Sequence, residues 1–436
     1  MPTIAIVPSD VPSKRMLAER LGRLLVGAGH RVVLLVDVAD GATGASTFEH
    51  RLVSTRSRPG PARHRLGLRR ARRDAATELD PADFAAVVAE VAPDLLIIDI
   101  EEYEALILAL ALPVRPPLAV LCSFFEVWPI AGLGPNDPGP VGGPIERARG
   151  NLRWPWVWFR FRVYDVRQQL LSGEVDRISV SRVLARRLGV RRLFTARQWL
   201  HPFAPHSLPM LVCNALELDI PHDPRPGVVH IGSLLDPVAP DAVAAIEDHR
   251  LAAVVERART RGRPVVVCAF GTLMTGDRSA LVQRIGGLAR LRPDIEFVVG
   301  IEDVDGAFEQ LPNVYATAWI PQRALLTVAD AAFVHTGNAT LHECVAARVP
   351  MLVHPFQVND QPRNAARVVR HGIGALDVGL GSDSEKLAAR LDAVLVDHDM
   401  RRRIGELADR IARYERDGVA VAAVEGVLGP SDGHAH

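Results

Sequence analysis

The chain has 436 residues, of which 48% are hydrophobic, and its acidic and basic residues balance at 51 each. This length predicts two domains of roughly 200 residues, and the balanced charge argues against a nucleic-acid-binding protein. Four cysteines lie far apart in mostly apolar runs: Cys122, Cys213, Cys268 and Cys344. Their spacing argues against a zinc site or a disulfide framework and indicates buried thiols in a reducing compartment.

The termini and apolar runs give no sign of targeting or membrane insertion. The N-terminus lacks the basic and long apolar regions of a signal peptide, and Thr3–Val7 is better used as a strand. The longest apolar run, around Ala105 to Val114, is far shorter than the ~20 residues that a spanning helix needs. We therefore expect a soluble, cytoplasmic protein that is at most peripheral to a membrane.

The first half alternates strand-like and helix-like segments. Residues 3–7 form the first predicted strand, a helix follows from about Ser13 to Ala28, and RVVLLV is the next strand. After an arginine-rich stretch from Arg51 to Arg73, the pattern predicts a helix over PADFAAVVAEVA and strands over DLLIID and LAVLCSF. Such alternation is typical of βαβ units and a parallel sheet. The segment from Leu133 to Pro144 is predicted to be a loop.

The second half repeats this organisation after a proline-rich connection near Pro221 to Pro237. Strand-like segments, each followed by helix-like sequence, are RPVVVCAFGTL, EFVVGI, VYATAWI, AAFVHTG and PMLVHPF. One long helix is predicted from about Met400 to Leu428, and GPSDGHAH is a tail.

The strongest functional signal lies between Trp319 and Asn364. The strand AAFV stops at His335-Thr336-Gly337, and a helix begins at once. Such a switch directs free backbone N–H groups and the positive end of the helix dipole at whatever lies above the sheet. The small residues Gly337, Ala339 and Thr340 allow a diphosphate to approach the backbone, and His335 adds a donor or a positive charge.

Other residues of this stretch suit the rest of a nucleotide sugar. Trp319 offers a flat face to a base, and Glu343 falls one helical turn further on, within reach of a ribose diol. Asp360 and Gln361 supply acceptors and donors for sugar hydroxyls. Together these parts predict a nucleotide-sugar site.

The stretch resembles the signature of the nucleotide-sugar-dependent glycosyltransferases of family 1, in the bacterial natural-product and lipid branch. Trp-x-Pro-Gln, His-x-Gly, Glu343 and Asp-Gln-x-x-Asn occur in the family's order. The resemblance implies a donor site in which Trp319 stacks on the base, Gln322 lies near the nucleoside and Glu343 binds the ribose. It further implies that Asp360 and Gln361 bind the sugar, and that His335, Gly337 and Thr340 hold the diphosphate. We expect Asn338 and Ala339, which lie between Gly337 and Thr340, to belong to the same donor site. Gly271 and Thr272 match the other donor-facing loop.

The resemblance also implies an α/β chain of the GT-B fold, in which two Rossmann-like domains face each other across a cleft. We expect an acceptor-binding domain over 1–225, a nucleotide-sugar-binding domain over 226–405, a C-terminal helix over 406–428 that packs back on the first domain, and a tail over 429–436. The implied activity is inverting, metal-independent hexosyl transfer to a small, apolar natural-product or lipid acceptor, as in antibiotic biosynthesis, with no cofactor beyond the co-substrate. Asn338-Ala339-Thr340 differs from the Trp-Asn-Ser of plant members. We therefore expect a dTDP- or UDP-sugar, with GDP left open.

One catalytic element of the family is missing. The general base is normally a histidine in the loop after the first strand, oriented by an aspartate after a later strand. No histidine precedes His30, and Lys14 or its neighbours stand at that place, although the orienting acid, Asp99, is present. Lys14 is a solvated loop residue or a base of depressed pKa, Ser13 could orient an acceptor, and Asp10 is the best-placed carboxylate.

Two other functions compete with catalysis of transfer. A catalytically silent relative that binds nucleotide-sugar, or assists a partner, would explain the missing histidine and keep the donor site. A sugar-nucleotide epimerase could share the two-domain fold, but it has no use for Trp319-Ile320-Pro321-Gln322. An acceptor that is itself nucleophilic would need little help from a base.

The acceptor side shows one aromatic segment, NLRWPWVWFRFRVYDVRQQLL, in which Trp154, Trp156 and Trp158 alternate with arginines. Pro155 suits the first turn of a helix. Such a helix either packs on the first domain or contacts a membrane surface or a large apolar acceptor. The Arg51 to Arg73 stretch is either a solvated loop or a contact for anionic lipid. His201, His206 and His222 lack the spacing of metal ligands.

Overall fold

The computed structural model describes residues 1–38, 48–57, 68–125, 144–172, 176–191, 205, 207–271, 278–301, 306–356, 360–377, 379 and 383–429. Within these residues the chain forms two parallel β-sheets, one in each half. Thr272, His201, His206 and the predicted loop from Leu133 lie outside the described residues, apart from Pro144, where a helix begins.

The first sheet has seven described strands in the order β3-β2-β1-β4-β5-β6-β7, and each adjacent pair is parallel. Its strands are β1 Thr3–Val7, β2 Arg31–Asp37, β3 Glu49–Val53, β4 Leu95–Asp99, β5 Leu118–Cys122, β6 Met210–Val212 and β7 Val228–His230. The last strand therefore lies beyond residue 225, where the first domain is predicted to end. The division into four segments stays a prediction.

The second sheet has six described strands in the order β10-β9-β8-β11-β12-β13, again all parallel. They are β8 Val265–Ala269, β9 Glu296–Val299, β10 Val314–Ala316, β11 Ala331–Val334, β12 Met351–Val353 and β13 Gly374–Leu376. The central strands are buried on both faces, as parallel strands covered by helices must be. The prediction of alternating strands and helices is confirmed.

The connecting segments are mostly helices. Those described are α1 Pro12–Gly27, α2 Leu68–Glu78, α3 Pro81–Val91, α4 Tyr103–Leu110, α5 Pro144–Ser172, α6 Arg177–Arg187, α7 His249–Arg261, α8 Arg278–Leu291, α9 Gln322–Leu326, α10 Asn338–Ala346, α11 Gln361–His371, α12 Ser384–Val396, α13 His398–Arg416 and α14 Val419–Leu428. A short 3-10 helix spans Leu216–Leu218. Capping residues fix where a helix begins and ends, as in α7. It begins where the Asp248 side chain accepts two backbone N–H groups, and it ends at Gly262, which has a φ of +61°.

Two helix predictions are wrong in detail. The single C-terminal helix is two helices, because the chain breaks at Gly418, which has a φ of +63°. Pro155 lies inside α5 rather than in its first turn. Behind the break, α14 buries Ala420 and Val424 in one cluster with Leu21 and Leu25 of α1, so the end of the chain packs on the first half.

The strand orders place a crevice above each sheet. The strand order of an open parallel sheet reverses at its switch point, so the connections that follow the two strands there run in opposite directions. Ligands bind in the crevice outside the carboxyl ends of these two strands. The switch points here are β1/β4 in the first sheet and β8/β11 in the second. Residues 8–14 and 100–102 follow the first pair, and Gly271 and His335 follow the second.

A buried ion pair joins the two halves. Arg367 on α11 donates from Nε and Nη2 to Oδ1 of Asp219, at 2.8 and 2.5 Å, and both side chains are fully buried. Burial acts to raise the pKa of Asp219, but the Arg367 guanidinium outweighs it and holds the pKa below its usual value. Arg367 also lies over the ring of Phe125, 3.8 Å from its centroid.

We expect Asp219→Asn to lower the free energy of unfolding by about 3 kcal/mol, because it leaves a buried guanidinium without its charge partner. Scanning calorimetry would show a fall of several degrees in the midpoint. Glu406→Gln is the control, since Glu406 pairs with Arg402 on the exposed face of α13 and should change the midpoint little. Equal midpoints for both variants would contradict the expectation.

Candidate functional site

The turn between β11 and α10 forms the centre of the donor side. Gly337 caps α10 without a side chain, so the N–H groups of Asn338, Ala339 and Thr340 have no intrahelical acceptor. Thr336, just before, has a φ of +61°, which is costly for a β-branched residue. Asn364 holds this conformation by donating from Nδ2 to the Thr336 carbonyl at 3.0 Å. The strand-to-helix switch on which the prediction of an anion site rests is thus present.

His335 is packed between two glycines of this site. A Cβ on Gly337 would lie 2.5 Å from His335 Nε2, and one on Gly271 would lie 2.9 Å from the same atom. His335 Nδ1 lies 3.3 Å from the Ala269 carbonyl, which can only accept, so Nδ1 carries the proton of the neutral ring. Burial lowers the pKa of His335 to about 4. A positive charge, one of the two contributions expected of His335, is therefore disfavoured at neutral pH.

The nucleoside side contains three of the predicted residues. Trp319 is 71% exposed, so one face of its ring is open to solvent. Gln322 donates from Nε2 to the Glu343 carboxylate and, at 3.3 Å, to Thr340 Oγ1. Burial raises the pKa of Glu343, and the nearby Arg323 opposes this. Gln322, Thr340 and Glu343 thus lie together on one side of the α10 N-terminus.

The predicted sugar side lies at the start of α11. Asp360 accepts a hydrogen bond from Asn364 Nδ2 at 2.7 Å, and burial raises its pKa. Gln361 accepts the Phe356 N–H at its Oε1, 3.0 Å away, and accepts the Thr336 hydroxyl at its carbonyl. These contacts tie both residues to the turn that carries His335.

The acceptor side is organised around Lys14, which lies in the first turn of α1 rather than in a loop. Its ammonium pairs with the Glu101 carboxylate and lies 4.1 Å from the centroid of the Phe124 ring. The interpretation of Lys14 as a solvated loop residue is therefore wrong, since its side chain is mostly buried and paired. The contacts with Glu101 and Phe124 occupy the Lys14 side chain, which argues against Lys14 as the base.

The other acceptor-side candidates differ in burial. Asp10 is 45% exposed and lies 3.7 Å from Arg56 Nη1, and Ser13 is exposed. Asp99 is fully buried at the end of β4, where its Oδ1 accepts the Glu101 N–H at 2.9 Å. Burial raises the pKa of Asp99 to about 8, with the Lys14 ammonium opposing. Its Oδ2 has no hydrogen-bond partner among the described residues.

Sequence reasoning missed the residues that join the two sides. Asn338 Nδ2 donates to the Ser123 carbonyl at 2.5 Å and to Asn214 Oδ1 at 3.1 Å. His342, one turn along α10, contacts the same Asn214 oxygen and stacks on Phe125. The side chain of Asn338 is therefore engaged with the first half, and its backbone N–H is what it can offer to a diphosphate. No sequence signal marks Asn214 or Ser123, because each lies more than 100 positions from its partner.

The described residues include neither a cluster of metal ligands nor a helix that could span a membrane. No cluster of three His, Cys, Asp or Glu side chains there could hold a metal ion. No described helix combines the length and apolar character that crossing a bilayer requires. All four cysteines are buried and unbridged.

Comparison with known proteins points to one family. Residues 308–411 match the family described as UDP-glucoronosyl and UDP-glucosyl transferase. Over 107 residues, 24% of each chain, the sequence is 33% identical to the aclacinomycin-T 2-deoxy-L-fucose transferase of Streptomyces galilaeus. Over 127 residues, 28% of this chain and 10% of the other, it is 30% identical to the sterol 3-beta-glucosyltransferase of Pichia angusta. The matches thus span a quarter or less of these relatives.

Solved structures share the fold over the whole chain. The glycotransferase of kitacinnamycin superposes with a TM-score of 0.69 at 21% identity, over 98% of this chain and 99% of the other. The glycosyltransferase VinC, solved in complex with dTDP, superposes with a TM-score of 0.60 at 18% identity, over 98% and 100%. The predicted GT-B fold and the resemblance to family 1 glycosyltransferases are confirmed.

We expect Gly337→Ala to weaken binding of UDP or dTDP at least tenfold, because the new Cβ would displace the His335 ring and crowd the helix N-terminus. Isothermal titration calorimetry measures the affinity. Gly27→Ala is the matched control, since a Cβ there meets nothing within 4 Å. Equal affinities of the two variants would refute the placement of the diphosphate.

Proposed function

We propose that this chain is a family 1 glycosyltransferase that transfers a sugar from a nucleoside diphosphate to a small acceptor. The observation that carries the proposal is the uncapped N-terminus of α10, which faces the first half of the chain between His335, Gln322 and Asp360. Free N–H groups at a helix N-terminus stabilise a diphosphate both in the substrate and as the departing group.

The donor is a dTDP- or UDP-hexose in this proposal. Trp319 stacks on the base, Gln322 and Glu343 bind the nucleoside, and the backbone of residues 337–340 holds the diphosphate. Asp360 and Gln361 bind the sugar. Because these groups supply the charge stabilisation, the reaction needs no metal ion, and direct displacement by the acceptor inverts the anomeric centre.

The acceptor binds to the first half, above the switch point of β1 and β4. Asp99, Lys14 and Phe124 lie there, and the exposed face of Asp10 is nearby. The kitacinnamycin and aclacinomycin proteins are named for natural products, which supports an apolar natural-product acceptor here and a role in secondary metabolism.

We also propose that α5 contacts an anionic membrane surface. Its apolar residues Ile145, Leu152, Trp156, Phe159 and Val163 are half or more exposed, and their spacing places them on one face of a helix. Arg149, Arg153, Arg160 and Arg167 are exposed beside this stripe. Trp154 takes no part, since it is buried with Arg363 over its ring. The side chain of Trp158 lies outside the described residues.

The test of the transferase is direct. The purified chain is incubated with UDP- and dTDP-hexoses and a panel of acceptors such as 2-naphthol, 2-naphthalenemethanol and 2-naphthylmethylamine, and products are followed by mass spectrometry. We expect transfer of the sugar to an acceptor, and Asp360→Ala should reduce its rate at least 100-fold, because the sugar loses a partly buried hydrogen-bond acceptor. Nucleotide binding without transfer to any acceptor would support the silent relative instead.

For α5, we expect the wild-type chain to sediment with phosphatidylserine-containing vesicles and far less with phosphatidylcholine alone. Trp156→Ser with Phe159→Ser should reduce binding at least tenfold, because burial of each side chain contributes about 1.5–3 kcal/mol. Val114→Ser with Val396→Ser is the control, since both residues are exposed elsewhere. Dimer formation without vesicle binding would refute a lipid partner.

A further inference from the structure

Glu101 is a carboxylate that the sequence analysis passed over. It lies two residues beyond the end of β4, at the switch point of the first sheet, and its side chain is 24% exposed. Its backbone N–H donates to Asp99, and its carboxylate accepts from the Lys14 ammonium. Glu101 is therefore held at both ends and still partly exposed.

Three segments hold Lys14 in place. The residue belongs to α1, which follows β1, its partner Glu101 follows β4, and the Phe124 ring beneath its ammonium follows β5. A cation over an aromatic face gains a further attraction. The Lys14–Glu101 pair thus occupies the mouth of the crevice where three strand ends meet.

The charge of Lys14 reaches both halves of the chain. Burial raises the pKa of Asp99 and of Asp360, and in both cases the Lys14 ammonium opposes the increase. Asp99 belongs to the acceptor half and Asp360 to the proposed sugar site. The Lys14 ammonium is therefore within electrostatic range of a carboxyl group in each half.

We propose that Glu101 is the general base of the transfer, with Lys14 as the positioning residue that orients its carboxylate. This proposal rests on the proposed function. It explains how the chain dispenses with the histidine that the family places after the first strand.

Sugar transfer takes place in one displacement step. The acceptor oxygen forms a bond to C1 of the sugar while its proton passes to a carboxylate oxygen of Glu101. The bond from C1 to the diphosphate oxygen breaks, and its electron pair leaves with the nucleoside diphosphate at the N-terminus of α10. Glu101 afterwards releases the proton to water.

The geometry favours Glu101 over the other carboxylates. Asp10 is more exposed and faces the Arg56 guanidinium, which is also bound to Glu102. Asp99 is fully buried beneath Glu101 and Lys14, so an acceptor cannot touch it. Glu101 combines access to the cleft with a fixed orientation, and a base needs both.

The test compares acceptors of different acidity. Among the acceptors that the wild type uses, the least acidic alcohol depends most on a base and the most acidic phenol depends least. We expect Glu101→Gln to lower kcat/KM about 10²–10⁴-fold with the alcohol and less than tenfold with the phenol. Nucleotide affinity and the unfolding midpoint should stay unchanged. Lys14→Gln should show the same dependence on acidity to a smaller extent, and Lys14→Arg should recover most of the rate.

The control is Glu19→Gln, which removes a carboxylate paired with Arg15 on α1. If Glu101→Gln loses no more activity than this control, or loses equally with both acceptors, Glu101 is not the base. A selective loss with Asp10→Asn would assign the base to Asp10. If the wild type binds nucleotide and uses no acceptor, the proposed function itself fails, and the base with it.

Discussion

The carboxyl ends of the two parallel sheets face each other, and the rest of the site depends on this arrangement. Residues that follow β5 and β6 in the first half contact α10, which follows β11 in the second: Asn338 reaches Ser123 and Asn214, and His342 stacks on Phe125. In a parallel sheet, the carboxyl ends of all strands lie at the same edge, so the loops that follow the strands also lie there. Two such edges placed face to face bring a donor and an acceptor together.

Exclusion of water at this junction shifts the ionisable groups in a consistent way. Burial raises the pKa values of Asp99, Glu343 and Asp360 and lowers that of His335. Each shift favours the uncharged form of its group, because burial disfavours a charge. An anion bound beside His335 would favour its imidazolium and so oppose the shift of that residue.

Much of the donor side could be predicted because it is local in sequence. The switch from AAFV to α10 and the glycine at residue 337 lie within a few positions of each other, and Glu343 follows one turn later. Helix geometry alone then places Thr340 and Glu343 together. For this turn, the sequence could not show how closely Gly271 and Gly337 enclose His335.

The acceptor side and the junction could not be predicted, because their contacts join distant segments. Lys14 meets Glu101 across 87 positions, and Arg367 meets Asp219 across 148. Its position close to Lys14 in the sequence favoured Asp10 as the predicted base. Which carboxylate faces the cleft is decided instead by the strand order, which places β4 beside β1 and so delivers Glu101 to the first turn of α1. The interpretation of Lys14 changes accordingly: we propose that its side chain orients the Glu101 carboxylate and is not itself the base.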